Sequence, residues 1–109
     1  MEVALGLARL AKKNGEVPIG AVIIDEKNGQ IIAKAYNQVE KKKDPIAHAE
    51  ILAIKEATYF KGQKWLETCD MYVTLEPCTM CAAAISLARI RRIYFGAYDF
   101  KSGGIEHGS

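Results

Sequence analysis

The stretch Leu75-Glu76-Pro77-Cys78-Thr79-Met80-Cys81 is the part of the sequence around which the rest is organised. An apolar, β-branched run precedes it, and an Ala-rich, helix-prone run follows it. Pro77 suits the first position of a helix, because the N–H that proline lacks would have no partner there. Cys78 and Cys81 would then share one face of the first turn, where the positive helix end favours thiolates. The pattern predicts half of a metal site, whose other ligands must come from elsewhere in the chain.

The composition indicates a single small domain, residues 1–109. Half of the 109 residues are hydrophobic and the net charge is +2, which suits one modest core and permits, without requiring, an anionic partner. Three cysteines, an odd number, and the lack of a basic-then-apolar leader predict a cytoplasmic protein with reduced cysteines. No apolar run approaches the ~20 residues that span a bilayer, so we expect no membrane association.

Local patterns predict an α/β protein with three helices and four strands. The helices are predicted at 2–13, 47–60 and 78–88, and the strands at 21–25, 30–36, 71–75 and 90–97. Gly15 is a plausible end for the first helix, and Asn28-Gly29 predicts a hairpin between the first two strands. Segment 37–44 is predicted to be an exposed loop. The later strand–helix–strand units imply parallel neighbours joined by right-handed crossovers.

His48 is the third candidate metal ligand, at the start of the second predicted helix. His48 and Glu50 would point to nearly opposite sides of a regular helix. Both can reach one site only if His48 lies in an irregular helix entry, which Asp44 and Pro45 favour. One His and two Cys form a zinc ligand set that leaves a place for water, whose pKa zinc lowers to roughly 7. Glu50 is placed to take the proton of that water.

Two other interpretations of the cysteine pair stay open. Cys78 and Cys81 could be a redox dithiol, as in thioredoxin-like proteins. A closed structural zinc site would need a fourth ligand, for which Cys69 and His107 are the spare residues. We expect Cys69, before a strand, to be a partly buried small side chain, and His107, in a glycine-bearing tail, to be exposed.

The His-Ala-Glu and Pro-Cys-x-x-Cys motifs together form the signature of zinc-dependent nucleoside and nucleobase deaminases. The likeness extends over most of the chain and is strongest to the bacterial tRNA-specific adenosine deaminases. It is carried by the segments 16–22, 44–50, 73–81 and 95–99, which read EVPIGAV, DPIAHAE, VTLEPCTMC and FGAYD. Guanine deaminases share parts of the second and third segments, whereas Thr-Leu-Glu before Pro77 and Phe-Gly-Ala-x-Asp resemble the tRNA enzymes more.

The resemblance implies a cytidine-deaminase-like fold: a three-layer α/β/α arrangement with a mixed sheet that starts with an antiparallel hairpin. Zinc, one Zn2+ per chain, would be held between the N-termini of two helices by His48, Cys78 and Cys81. Glu50 would be the catalytic residue that moves protons from the attacking water to a purine ring nitrogen and then to the departing ammonia. The implied reaction is hydrolytic conversion of adenosine to inosine at wobble position 34 of a tRNA anticodon.

The resemblance also implies contacts with the substrate. Asn37, Ala49 and Asp99 match positions at or beside the target nucleotide, although Asn37 could be only a turn residue and Asp99 only a capping or turn residue. The Lys41-Lys42-Lys43 run and the arginines at 89, 91 and 92 could neutralise phosphates of the tRNA anticodon loop, or could be solvated surface. Family members dimerise, so we expect a homodimer.

Relatives of this type usually continue with a further strand and one or two C-terminal helices, whereas the present sequence ends at Ser109. A shortened chain, a disrupted gene and a tail supplied by a partner chain remain alternatives. Two other functions also stay open: a guanine- or cytosine-type nucleobase or nucleoside deaminase, and an inactive zinc-binding fragment.

Overall fold

The computed structural model describes residues 1–96, whose four strands form one mixed sheet in the order β2-β1-β3-β4. The helices are α1 (Glu2–Lys13), α2 (Val39–Lys42), α3 (Ala49–Lys61) and α4 (Thr79–Leu87), and the strands are β1 (Gly20–Asp25), β2 (Gln30–Tyr36), β3 (Cys69–Val73) and β4 (Arg92–Phe95). Strand β1 is antiparallel to β2 and β3, and β4 is parallel to β3. The predicted α/β class and mixed sheet are confirmed.

The predicted hairpin joins β1 and β2 through a four-residue loop between Asp25 and Gln30. Gly29 adopts the left-handed conformation, with φ +70°, which glycine accepts without a steric cost. Its N–H donates to the Asp25 carbonyl at 2.8 Å, and Asn28 Oδ1 accepts the Gln30 N–H at 3.0 Å. The loop therefore closes on itself before β2 begins.

Helices cover both faces of the sheet. On one face, α1 approaches so closely that a Cβ added to Gly20 would lie 2.2 Å from the Ala4 carbonyl oxygen. Side chains of adjacent strand residues point to opposite faces, so Ala21 and Ile23 face the other layer. There they share one core with residues of β3, α3 and α4: Ala49, Ala53, Ala57, Met71, Val73 and Ile85. The three-layer α/β/α arrangement is confirmed.

Three local predictions need correction. Pro77 is not the first helical residue, because α4 begins at Thr79 and extended backbone at Cys78 makes that residue the N-cap. Segment 37–44 is not a plain exposed loop: it contains α2, and Asn37 is buried. Among the strands of residues 1–96, the one pair of parallel neighbours is β3 and β4, since β1 lies between β2 and β3. Within residues 1–96, the helices are too short or too polar to cross a membrane.

Candidate metal centre and active site

Two helix N-termini bring the predicted ligands together. His48 is the N-cap of α3 and Cys78 is the N-cap of α4, and both have extended backbone. Neither side chain accepts a backbone N–H of its own helix, as an N-cap side chain usually does, so the imidazole and the thiol are available as ligands. The irregular helix entry predicted for His48 is therefore found. It turns the imidazole toward the cysteines of α4.

The distances between these side chains fit a zinc ion. His48 Nδ1 lies 3.7 Å from Cys78 Sγ and 3.5 Å from Cys81 Sγ, and the ligand atoms all lie within 4.8 Å of one another. Usual zinc–nitrogen and zinc–sulfur bonds at a tetrahedral angle would separate nitrogen from sulfur by ~3.5–3.6 Å. The three residues form a candidate metal site from the ligands that the sequence predicts, and the sulfurs approach the imidazole at Nδ1.

The Cys81 thiol is fully buried, and its surroundings disfavour the thiolate unless a cation is bound. Burial raises the pKa of Cys81 far above the ordinary value, and the nearby Glu50 and Cys78 act in the same direction. A bound divalent cation reverses this balance, because a coordinating thiol loses its proton outright. With His48 as a third donor beside the two sulfurs, the set suits a metal site.

Glu50 lies at the second position of α3 and is 2% exposed. Its Oε1 has no hydrogen-bond partner within residues 1–96. Burial raises the pKa of this carboxyl above its ordinary value, because a charged carboxylate is poorly solvated there. A buried oxygen without a hydrogen-bond partner lowers the stability of the fold. A general base needs such an oxygen to accept a proton from water.

Asn37 fixes the start of the helix that carries His48 and Glu50. Its Oδ1 accepts the Ala49 N–H at 2.7 Å, and both residues are buried. The Ala49 N–H is therefore engaged within the protein, and a contact of Ala49 with substrate stays a prediction. Asn37 Nδ2 has no partner in the described part of the chain, so that amide group could still serve as a donor to a ligand.

The remaining predicted residues have varied positions. Asp99 and His107 lie outside the described residues, and Cys69 is the fully buried first residue of β3. The guanidinium of Arg91 forms two 2.9 Å hydrogen bonds with Asp70. Arg89 lies over the Trp65 ring at 3.8 Å. These two arginines thus already have intramolecular partners.

Sequence reasoning missed two structural roles, those of Asn37 and Thr74, that shape the site. Asn37 is the side-chain cap of α3, acting from eleven positions before the helix N-cap rather than from within it. Thr74 Oγ1, also buried, accepts the Gly20 N–H at 3.1 Å and ties the segment leading to Cys78 onto β1. Both side chains are polar and buried. The signal that the sequence offered was a polar residue directly after a strand.

Comparisons with known proteins define the class of this site. Residues 1–97 match the family described as cytidine and deoxycytidylate deaminase zinc-binding region. The chain belongs to this family of zinc-binding deaminases. The match covers every residue of the candidate site except Asp99, so the motif-based assignment of zinc to His48, Cys78 and Cys81 has the support of the family as a whole.

Within the family, the chain is similar to tRNA-specific adenosine deaminases. It is 54% identical to the enzyme of Aquifex aeolicus, covering 96% of this chain and 68% of that protein. It is 54% identical to the enzyme of Agrobacterium fabrum, covering 99% and 70%. A structure solved in work on A-to-I editing by tRNA:A34 deaminases superimposes with a TM-score of 0.86 at 54% identity, covering 97% and 75%. Guanine deaminase from Bacillus subtilis gives 0.83 at 38% identity, covering 87% and 60%.

Proposed function

We propose that this protein hydrolytically deaminates adenosine to inosine at wobble position 34 of a tRNA anticodon. The observation that carries the proposal is the buried, unpaired Glu50 carboxylate oxygen beside three nitrogen and sulfur ligands. Three ligands with a neighbouring carboxylate suit activation of water, whereas a structural zinc site uses four. The similarity to tRNA-specific adenosine deaminases supports adenosine in tRNA as the substrate.

The chemistry divides between the metal and the chain. Zinc, when bound by His48, Cys78 and Cys81, supplies Lewis acidity that makes a water molecule a nucleophile near neutral pH. Glu50 accepts a proton from that water and delivers it to a purine ring nitrogen, and then takes the remaining proton from the new C6 hydroxyl and delivers it to the leaving amino group. A C6–O bond forms and the C6–N bond breaks, so adenosine and water give inosine and ammonia.

Asn37, Ala49 and Asp99 are proposed to contact the substrate. Asn37 is the strongest of the three, because its Oδ1 is engaged by Ala49 while its Nδ2 has no partner within residues 1–96. A hydroxyl oxygen or a ring nitrogen of the nucleoside could accept a hydrogen bond from Asn37 Nδ2. An anticodon loop also offers an unpaired base, so the enzyme need not open a helix to reach it.

A second candidate function is deamination of free guanine, favoured by the structural similarity to guanine deaminase. The deciding experiment offers zinc-loaded protein an anticodon stem-loop with adenosine at position 34, free guanine and cytidine in parallel reactions. We expect inosine in the stem-loop and no xanthine or uridine. Xanthine or uridine formation without inosine would assign the site to the alternative substrates, and no product from any of them would indicate an inactive zinc-binding protein.

We also propose that the protein is a cytoplasmic homodimer whose residues 1–109 form one domain. Helix α4 is mostly apolar, yet Ala82, Ala83 and Leu87 are exposed. An exposed apolar helix face is typical of a contact surface, and the tRNA substrate agrees with a cytoplasmic location. Light scattering at working concentration should give the mass of two chains, and the mass of one chain would contradict the dimer.

A further inference from the structure

Glu16 is a buried carboxylate that the proposed reaction does not use. It follows α1, where Gly15 takes the left-handed conformation with φ +78° and the Glu16 N–H donates to the Ala11 carbonyl at 2.9 Å. This arrangement is a Schellman motif, which fixes the direction of the chain after a helix. The Glu16 residue is 7% exposed, so its side chain points into the protein rather than into solvent.

The Glu16 carboxylate caps a helix that lies 24 residues further along the chain. Its Oε1 accepts the Glu40 N–H at 3.0 Å, and its Oε2 accepts the Lys41 N–H at 2.8 Å. These are the free N–H groups at the start of α2 that an N-cap side chain usually satisfies. The N-cap of α2 itself, Gln38, makes no such bond. Because a four-residue helix is unstable alone, α2 depends on Glu16.

Helix α2 belongs to a closed loop, here called the basic loop (residues 38–47), whose two ends adjoin the metal site. The Gln38 N–H donates to the Ala47 carbonyl at 3.0 Å and closes the loop. Asn37, which caps α3, precedes it, and the ligand His48 follows it. Both ends of the basic loop are therefore next in sequence to residues of the candidate site.

The basic loop carries three consecutive cations, Lys41-Lys42-Lys43, and all three are exposed. Within residues 1–96 their ammonium groups form no ion pair. Of the arginines that could compete for phosphates, Arg89 and Arg91 are engaged with Trp65 and Asp70, whereas Arg92 is exposed and forms no ion pair within residues 1–96. Among the cations without an ion pair, the lysines are the ones carried by the loop that leads to His48.

We propose that Glu16 is a positioning residue for RNA binding. By capping α2 it holds the basic loop in one conformation, so that Lys41–Lys43 meet the phosphates flanking the target nucleotide. The proposal rests on the proposed function, because it takes RNA as the substrate. It assigns RNA binding to the basic loop and assigns to the buried Glu16 carboxylate the role of fixing the conformation of that loop.

A matched pair of substitutions separates positioning from simple electrostatics. Glu16→Gln and Glu40→Gln each remove one negative charge next to the lysines, but only Glu16 holds the cap, since the exposed Glu40 contributes only its backbone N–H. If net charge alone matters, both substitutions tighten RNA binding. If the cap matters, Glu16→Gln weakens binding while Glu40→Gln leaves it unchanged or tightens it.

The assay measures inosine formation in the stem-loop and, separately, binding of that RNA by fluorescence anisotropy in the Glu50→Ala background. For Glu16→Gln we expect KM and Kd to rise about fivefold, as for loss of one helix cap, with kcat within about twofold and zinc content unchanged. Tighter or unchanged binding by Glu16→Gln would overturn the proposal. Binding without any inosine from the wild-type protein would instead contradict the proposed function.

A second variant keeps the test independent of the folding of Glu16→Gln. Lys41→Ala/Lys42→Ala changes only exposed side chains, and we expect the slope of log K against log salt to fall by about 0.7 for each lysine that contacts single-stranded phosphates. An unchanged slope would show that the lysines are solvated surface, and the proposal would be wrong.

Discussion

Asn37 is predicted to have two separable roles, and two substitutions should distinguish them. Its Oδ1 accepts the Ala49 N–H at 2.7 Å where both residues are buried, so Asn37→Ala removes the side-chain cap of α3. Loss of such a cap costs about 1–2 kcal/mol. For a chain of this size, each kcal/mol lowers the melting temperature by about 4 °C. We therefore expect Asn37→Ala to melt about 4–8 °C below the wild type.

Asn37→Asp is the matched control, because it keeps an oxygen at the cap and replaces the Nδ2 donor with a second oxygen that carries negative charge. A carboxylate at a helix N-terminus is favourable, so its melting temperature should stay within about 4 °C of the wild type. If Nδ2 contacts the nucleoside, inosine formation should nevertheless fall at least about tenfold, as for a lost hydrogen bond. Calorimetry and the stem-loop assay on both variants decide the matter. Equal melting of Asn37→Ala and wild type would refute the cap, and full activity of Asn37→Asp would refute the substrate contact.

The remaining predictions concern packing, pH and the metal. Gly20→Ala should destabilise the protein by about 1–3 kcal/mol through overpacking, because the new Cβ would meet α1. Gly6→Ala has open space around it and should stabilise α1 by up to about 1 kcal/mol. Urea titrations in which both variants change the free energy of unfolding in the same direction would contradict this packing. The hydrogen bond from Lys61 lowers the pKa of Asp25 in the folded protein. The ionised Asp25 therefore stabilises the fold above its ordinary pKa, and this stabilisation is lost as the pH falls through the lowered pKa. Asp25→Asn should have a smaller free energy of unfolding than the wild type at pH 7, and that free energy should fall less on acidification. Removal of zinc by a chelator should lower the melting temperature, because the ligand set exists only in the folded chain, and an unchanged melting curve would argue against a bound metal.

Residues close together in the sequence were sufficient to predict the candidate metal ligands and the hairpin. Gly29 adopts a left-handed conformation that few other residues accept, and Asn28 Oδ1 accepts the Gln30 N–H. The spacing of Cys78 and Cys81 places both near one helix start. The helix entry at His48 was also predictable, since Asp44 and Pro45 precede it. In each case the decisive interactions lie within a few residues of the motif.

Long-range contacts explain what sequence reasoning could not supply. Segment 37–44 looked like an exposed loop, because nothing local stabilises α2; its cap comes from Glu16, across the fold. The cap of α3 likewise comes from Asn37 rather than from the residue at the helix start. Pro77 fits a first helical position by propensity, yet α4 begins two residues later, with Cys78 as its N-cap. Propensity therefore located this helix and missed its boundary.

The central claim is that Glu50 performs acid–base chemistry beside a zinc ion held by His48, Cys78 and Cys81. The most direct test compares wild type with Glu50→Gln, measuring inosine in the stem-loop and zinc per chain in the same samples. We expect about one zinc in both proteins and a loss of at least ~10²-fold in the rate for Glu50→Gln. A zinc-loaded wild type that forms no inosine, or a Glu50→Gln variant that remains fully active, would contradict it.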